Sequence, residues 1–113
     1  MIALSDIRAI AMALPEVEEG PPVRAAHRIA GFKVADKSFV GVEVEGKSMT
    51  ISLPEKEAKA IAAENPKAFE EIGRNGITFM RLRVDLSAIS LDRVRDLIER
   101  SWRHSAPKRL TIR

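Results

Sequence analysis

Apolar residues recur at every second position in three stretches of this chain. Val40, Val42 and Val44 alternate with Gly41, Glu43 and Glu45, and Met49, Ile51 and Leu53 follow on a second run. Thr78, Met80, Leu82, Val84 and Leu86 alternate with Ile77, Phe79, Arg81, Arg83 and Asp85. Successive strand side chains point to opposite faces, so this pattern specifies a sheet with one buried face. Phe32 and Val34 begin the same alternation earlier in the chain. Asp36-Lys37 and Glu45-Gly46-Lys47 read as turns, which predicts two successive hairpins and an antiparallel meander. Asn75-Gly76 marks a further turn before the last strand.

The intervening segments have helical spacing. Ser5 is the expected N-cap of a first helix, with Asp6 in its first turn and Ile7, Ile10, Ala11 and Leu14 on its apolar stripe. Pro15 ends that helix, and residues 16–22 read as a connector. Pro54, Glu55 and Glu57 suit the start of a second helix that reaches about Glu64. Phe69 and Ile72 suggest a short helical segment ending at Gly73. Ser90 is the expected cap of a last helix bearing Leu91, Val94, Leu97, Ile98 and Trp102, stopped at Ala106-Pro107. Residues 108–113 read as a basic tail. The order is α-β-β-β-α-β-α in a single domain spanning residues 1–113. The expected class is α+β: a two-layer sandwich, with an antiparallel sheet of four to five strands and flanking helices.

Composition narrows the function classes. At 113 residues, with 45% hydrophobic and 31% charged residues, the chain can bury a core and is not of disordered type. It has no cysteine, which excludes disulfides and thiolate metal sites and fits a reducing, cytoplasmic setting. It contains no 18-residue apolar run, and its start lacks the basic and apolar blocks of a signal peptide, so no membrane partner is expected. The two histidines, His27 and His104, stand in unrelated contexts, and neither a catalytic constellation nor a metal or other cofactor is expected. Glu16, Glu18 and Glu19 lack a calcium-loop pattern, and Gly73-Arg74-Asn75-Gly76 lacks the length and Lys-Ser/Thr of a phosphate loop.

Charge is unevenly distributed. Residues 1–73 hold nine Lys/Arg against twelve Asp/Glu, whereas residues 74–113 hold ten against four, a balance of +6. Such clustering can concentrate an anionic partner. Phe79, Arg81 and Arg83 share one strand face, where guanidinium groups suit phosphates and an aromatic ring can stack on a base. Arg93, Arg100 and Arg103 lie near one face of the last helix, followed by Lys108 and Arg109. The competing reading is structural. In it Arg81 and Arg83 pair with Glu43 and Glu45 across strands, the helix arginines form a solvated face among Asp92, Asp96 and Glu99, and Trp102 anchors the core.

Several short motifs resemble the MmcQ/YjbR family. Leu14-Pro15-Glu16-Val17-Glu18 is similar to that family's Leu-Pro-x-Val-Glu connector. Phe32-Lys33-Val34 with Lys37 and Phe39 resembles its central hairpin, and Leu53-Pro54-Glu55 the entry to its middle helix. Trp102 with Ala106-Pro107-Lys108-Arg109 resembles its Trp-x-x-x-Ala-Pro-Lys ending. Where many members carry a His and a Trp, this chain has Ile72-Gly73-Arg74-Asn75-Gly76-Ile77. The resemblance implies a two-layer fold similar to type III secretion chaperones and a DNA-binding role.

Two functions of different class follow. One is a DNA-binding accessory protein that contacts phosphate, weakly and without sequence preference, through Arg81, Arg83, Arg100, Arg103, Lys108 and Arg109, with Phe79 beside them. The other is a protein-interaction module, such as a homodimeric chaperone-like adaptor. Convergence of the six basic residues on one face is the expectation that favours the first.

Overall fold

The computed structural model describes residues 2–20, 28–43, 47–74 and 79–111. The elements run α1 (Leu4–Met12), β1 (Val17–Glu19), β2 (Arg28–Val34), β3 (Lys37–Glu43), β4 (Ser48–Pro54), α2 (Glu55–Glu64), β5 (Phe69–Arg74), β6 (Phe79–Asp85), α3 (Leu91–Ser105) and α4 (Lys108–Thr111). The strands form one antiparallel sheet in the order β1-β2-β3-β4-β6-β5. The class is α+β, as the alternation predicts, with six strands rather than four or five.

Period-two alternation sets the two faces of the sheet. Val40 pairs with Ile51, which pairs with Leu82. Val42 pairs with Met49, which pairs with Val84. All six side chains are buried. Ile7 and Ala11 of α1, Ala58 and Ile61 of α2, and Val94, Leu97, Ile98 and Trp102 of α3 complete this core. Each fully buried aliphatic side chain contributes about 1.5–3 kcal/mol, so the layer contact is the main source of stability. Arg81, Arg83 and Asp85 alternate with the core residues of β6 and therefore lie on the opposite face, across from Ser52, Thr50 and Ser48.

A buried hydroxyl joins the layers. β3 carries an extra residue, Phe39, where its register with β2 shifts, and the β3–β4 pairing covers only Val40 to Val42. Ser101 of α3 fills the gap. Its hydroxyl donates to the Phe39 carbonyl at 2.6 Å and accepts the Ser52 N–H at 3.1 Å. Two buried backbone groups that would otherwise lack partners are thereby satisfied.

The structure corrects the sequence reading in five places. The connector contains strand β1, and the helical segment expected around Phe69 and Ile72 is strand β5. The first helix begins at Leu4, not after Ser5. Its N-cap is Ala3, whose N–H donates to the Asp6 carboxylate at 2.9 Å. The first hairpin turns at Ala35-Asp36, one residue earlier than expected, with φ of 49° and 66°. Two successive left-handed residues match the right-handed twist of the strands. The start of the basic tail forms α4. The Ser90 cap is as expected, its hydroxyl accepting the Arg93 N–H. The turns at 45–46 and 75–76, and His27, lie outside the described residues.

Candidate nucleic-acid interface

The expected phosphate-binding residues fall on three separate parts of the fold. Arg81 and Arg83 lie on the outer face of β6. Phe79 opens the same strand opposite Pro54, and its side chain lies outside the described ones. Arg100 and Arg103 lie in the helix layer, on α3 beside the start of α2. Lys108 and Arg109 begin α4. The sheet separates the first group from the second, so the six cations do not converge.

Three of the six, Arg83, Arg100 and Arg109, are also paired with carboxylates. Arg83 donates through Nε to Glu43 on β3 at 2.8 Å and through a terminal nitrogen to Glu70 on β5. Glu70 lies on the adjacent strand β5 and Glu43 on β3, one strand beyond β4. Together they hold the guanidinium more firmly in its charged form, Glu43 first. Thr50 and Ser52 lie in the same rows and are nearly buried, while Arg81 is half-buried. Arg100 donates to Glu57 at 2.8 Å and to both oxygens of Asp96 at 3.1 Å. Arg103 shares the hollow between α2 and α3 with Arg100, Glu57, Asp96, Glu99 and His104. Three carboxylates there oppose a phosphate. Arg93, on the same helix, bridges Glu64 and Asp96.

Arg109 grips Glu16 with two hydrogen bonds, at 2.6 and 2.7 Å. The bond lowers the Glu16 carboxyl below the usual carboxylate range. Glu16 has φ of 56°, a left-handed conformation that aims the chain into β1 directly after Pro15. One residue earlier, the Pro15 carbonyl accepts the Trp102 indole N–H at 3.1 Å. The two most motif-like stretches of the sequence are therefore partners of each other. Glu19, at the end of β1, is likewise held by Arg8 of α1 at 2.8 and 3.1 Å. Glu16 and Glu19 of the acidic connector thus each face an arginine. Trp102 is 6% exposed and acts as a core anchor.

The strand pattern offers Glu43 and Glu45 as partners for Arg81 and Arg83. The structure places Glu43 on Arg83 and adds Glu70, which the helical spacing of Phe69 and Ile72 conceals. Nothing in the sequence pairs Glu16 with Arg109, 93 positions apart. No described helix is long and apolar enough to cross a membrane, and no group of three potential metal ligands occurs among the described residues.

These features define an α+β protein built on an open six-stranded antiparallel sheet with its helices gathered over the core face. The YjbR family profile matches residues 12–104. The chain belongs to the YjbR family. The fold is similar to that of the crystal structure of Deinococcus radiodurans protein DR2400, which carries a DUF419 domain. The similarity has a TM-score of 0.72 at 15% identity and covers 90% of this chain and 77% of that one. No curated protein matches the chain.

Proposed function

We propose that this YjbR-family protein is a protein-interaction module without chemistry of its own, rather than a nucleic-acid-binding protein. The observation that carries the reading is the pairing of its C-terminal cations. Arg83, Arg93, Arg100 and Arg109 each engage a carboxylate of the first 73 residues: Glu43 and Glu70, Glu64, Glu57, and Glu16. A phosphate contact at any of them competes with a charged pair already made and adds to a guanidinium whose charge is already partly met. The penalty is modest, since exposed pairs of this kind are worth about 0–1 kcal/mol. Four of the cations that make up the +6 balance of the last third thus face carboxylates of the first 73 residues. The open sheet supports an interaction role, since among the described residues β1 and β5 each have a strand on one side only. Unpaired strand edges invite another chain. Against a catalytic role, the Ser101, Ser90 and Ser87 hydroxyls serve backbone groups, a cap and a turn carboxylate.

The nucleic-acid reading keeps one supporting observation, the placing of Arg81 and Arg83 in adjacent rows of a single sheet face. Titration of a labelled 20-base-pair duplex at low salt tests between the two. We expect no saturable anisotropy change at protein concentrations up to about 100 µM in about 50 mM salt, the lower end of the usual non-specific range. Saturable binding that weakens with salt at a log–log slope of about −0.9 per phosphate contacted would return the nucleic-acid reading to the front.

A further inference from the structure

The edge strand β1 is three residues long and buries one side chain, Val17, opposite Val34 of β2. Glu18 and Glu19 are exposed. Its pairing with β2 reaches one residue further, where the Gly20 N–H donates to the Gly31 carbonyl at 2.8 Å. A strand this short draws little of its attachment from apolar burial.

Arginines from two other elements hold its ends. Just before the strand, Glu16 accepts two hydrogen bonds from Arg109 of α4, at 2.6 and 2.7 Å. At its last residue, Glu19 accepts two from Arg8 of α1, at 2.8 and 3.1 Å. Both arginines stand on elements seated without β1. Ile7 and Ala11 anchor α1 in the core, and Ala106 and Leu110 pack the α4 segment against it. The chain enters β1 through strained backbone, because Glu16 carries a side chain at φ of 56°. The Arg109 fork and the bond from Trp102 to the Pro15 carbonyl hold that entry in place. All four charged side chains of the two pairs are a third or more exposed, so dissolved ions reach them.

We propose that β1 is a detachable edge strand, clasped at its two ends by Arg8 and Arg109, and that raised ionic strength releases it ahead of the rest of the sheet. Release makes β2 the edge on that side of the sheet, seven residues long where β1 has three. The clasp therefore sets how often the longer edge is open. What that edge would receive rests on the protein-interaction reading, in which an unpaired strand takes up another chain. The clasp itself does not rest on it.

The test is native-state amide hydrogen exchange at about 0.1 M and 1 M salt, between which the screening length falls from about 10 Å to about 3 Å. The proteins compared are the wild type, Arg8→Ala/Arg109→Ala, and Arg95→Ala. Arg95 pairs with Asp92 on α3, so its loss removes a paired arginine away from β1. At 0.1 M we expect the Gly20 amide to exchange about tenfold faster in the double variant than in the wild type, each pair contributing about two- to fivefold. In 1 M salt the wild type should approach the double variant. Arg95→Ala should follow the wild type at both concentrations, and the β4 amides should change less than about twofold throughout. Unchanged Gly20 exchange in the double variant, an equal effect of Arg95→Ala, equal acceleration across β4, or a wild type indifferent to salt would overturn the proposal. No partner is present in this experiment, so its outcome is separate from that of the duplex titration, which tests the protein-interaction reading.

Discussion

At the scale of single residues, the most consequential side chain is one that sequence patterning passes over. Ser101 continues the buried stripe of α3, and its hydroxyl closes the gap between two splayed strands. Truncating it leaves the Ser52 N–H and the Phe39 carbonyl buried without partners. Ser101→Ala should therefore cost about 1–3 kcal/mol, read as a lower urea midpoint at unchanged m-value. A loss below about 0.5 kcal/mol would mean that the strands re-pair without it. His104 offers a second prediction at this scale. Burial pushes its imidazole pKa down; Glu57 opposes this and Lys37 adds to it. A lowered histidine pKa means that the unfolded chain takes up the proton first as pH falls. The stability it contributes is present above its unfolded pKa of about 6.5 and is lost as pH falls through the folded value. Paired carboxylates such as Glu16 and Glu19 add a loss of the same sign further into acid. His104→Asn should flatten the slope of stability against pH between about 5 and 7 while leaving the acid limb in place. An unchanged slope there would contradict the assignment.

At the scale of elements, the junction between α1 and β1 is held from the far end of the chain. Trp102 hydrogen-bonds the Pro15 carbonyl, and Arg109 grips Glu16 in its left-handed conformation. Trp102→Phe should cost about 1–3 kcal/mol through a lost hydrogen bond and lost packing volume. It should also raise amide hydrogen exchange in β1 more than in β4. Equal acceleration in both strands would indicate a general loss of stability rather than a loosened junction. The same junction shows what was legible in advance. The strands with clean alternation, around Val40–Val42, Met49–Leu53 and Leu82–Val84, were readable because each has one buried face. β1 was not, because three residues with a single apolar member, Val17, carry no periodicity. β5 was misread for a definite reason. Its register shifts between Glu71 and Gly73, so Ile72 is an extra residue and the apolar spacing from Phe69 becomes three, which imitates a helix. Long-range partners such as Glu16 and Arg109 have no local signature at all.

At the scale of the whole molecule, the chain is basic in its last third. Arg83, Arg93, Arg100 and Arg109 of that third are met in space by carboxylates from the first 73 residues. Counting charges along the chain located the cations correctly but could not show what each of them faces. Arg83 makes the point: its strand is readable, while one of its two carboxylates lies on a strand that the pattern disguises. If matched carboxylates are what withhold the C-terminal cations from phosphate, removing those carboxylates should create a nucleic-acid-binding protein. The most direct measurement is duplex binding by the wild type and by Glu43→Gln/Glu70→Gln, both titrated between about 50 and 200 mM salt. We expect the wild type to show no saturable binding, and the variant, with Arg83 released on the outer face beside Arg81, to bind with a negative log–log salt slope of about one to two units. Wild-type binding as tight as that of the variant, with the same salt slope, would show that the pairs do not restrain the arginines and would contradict the account.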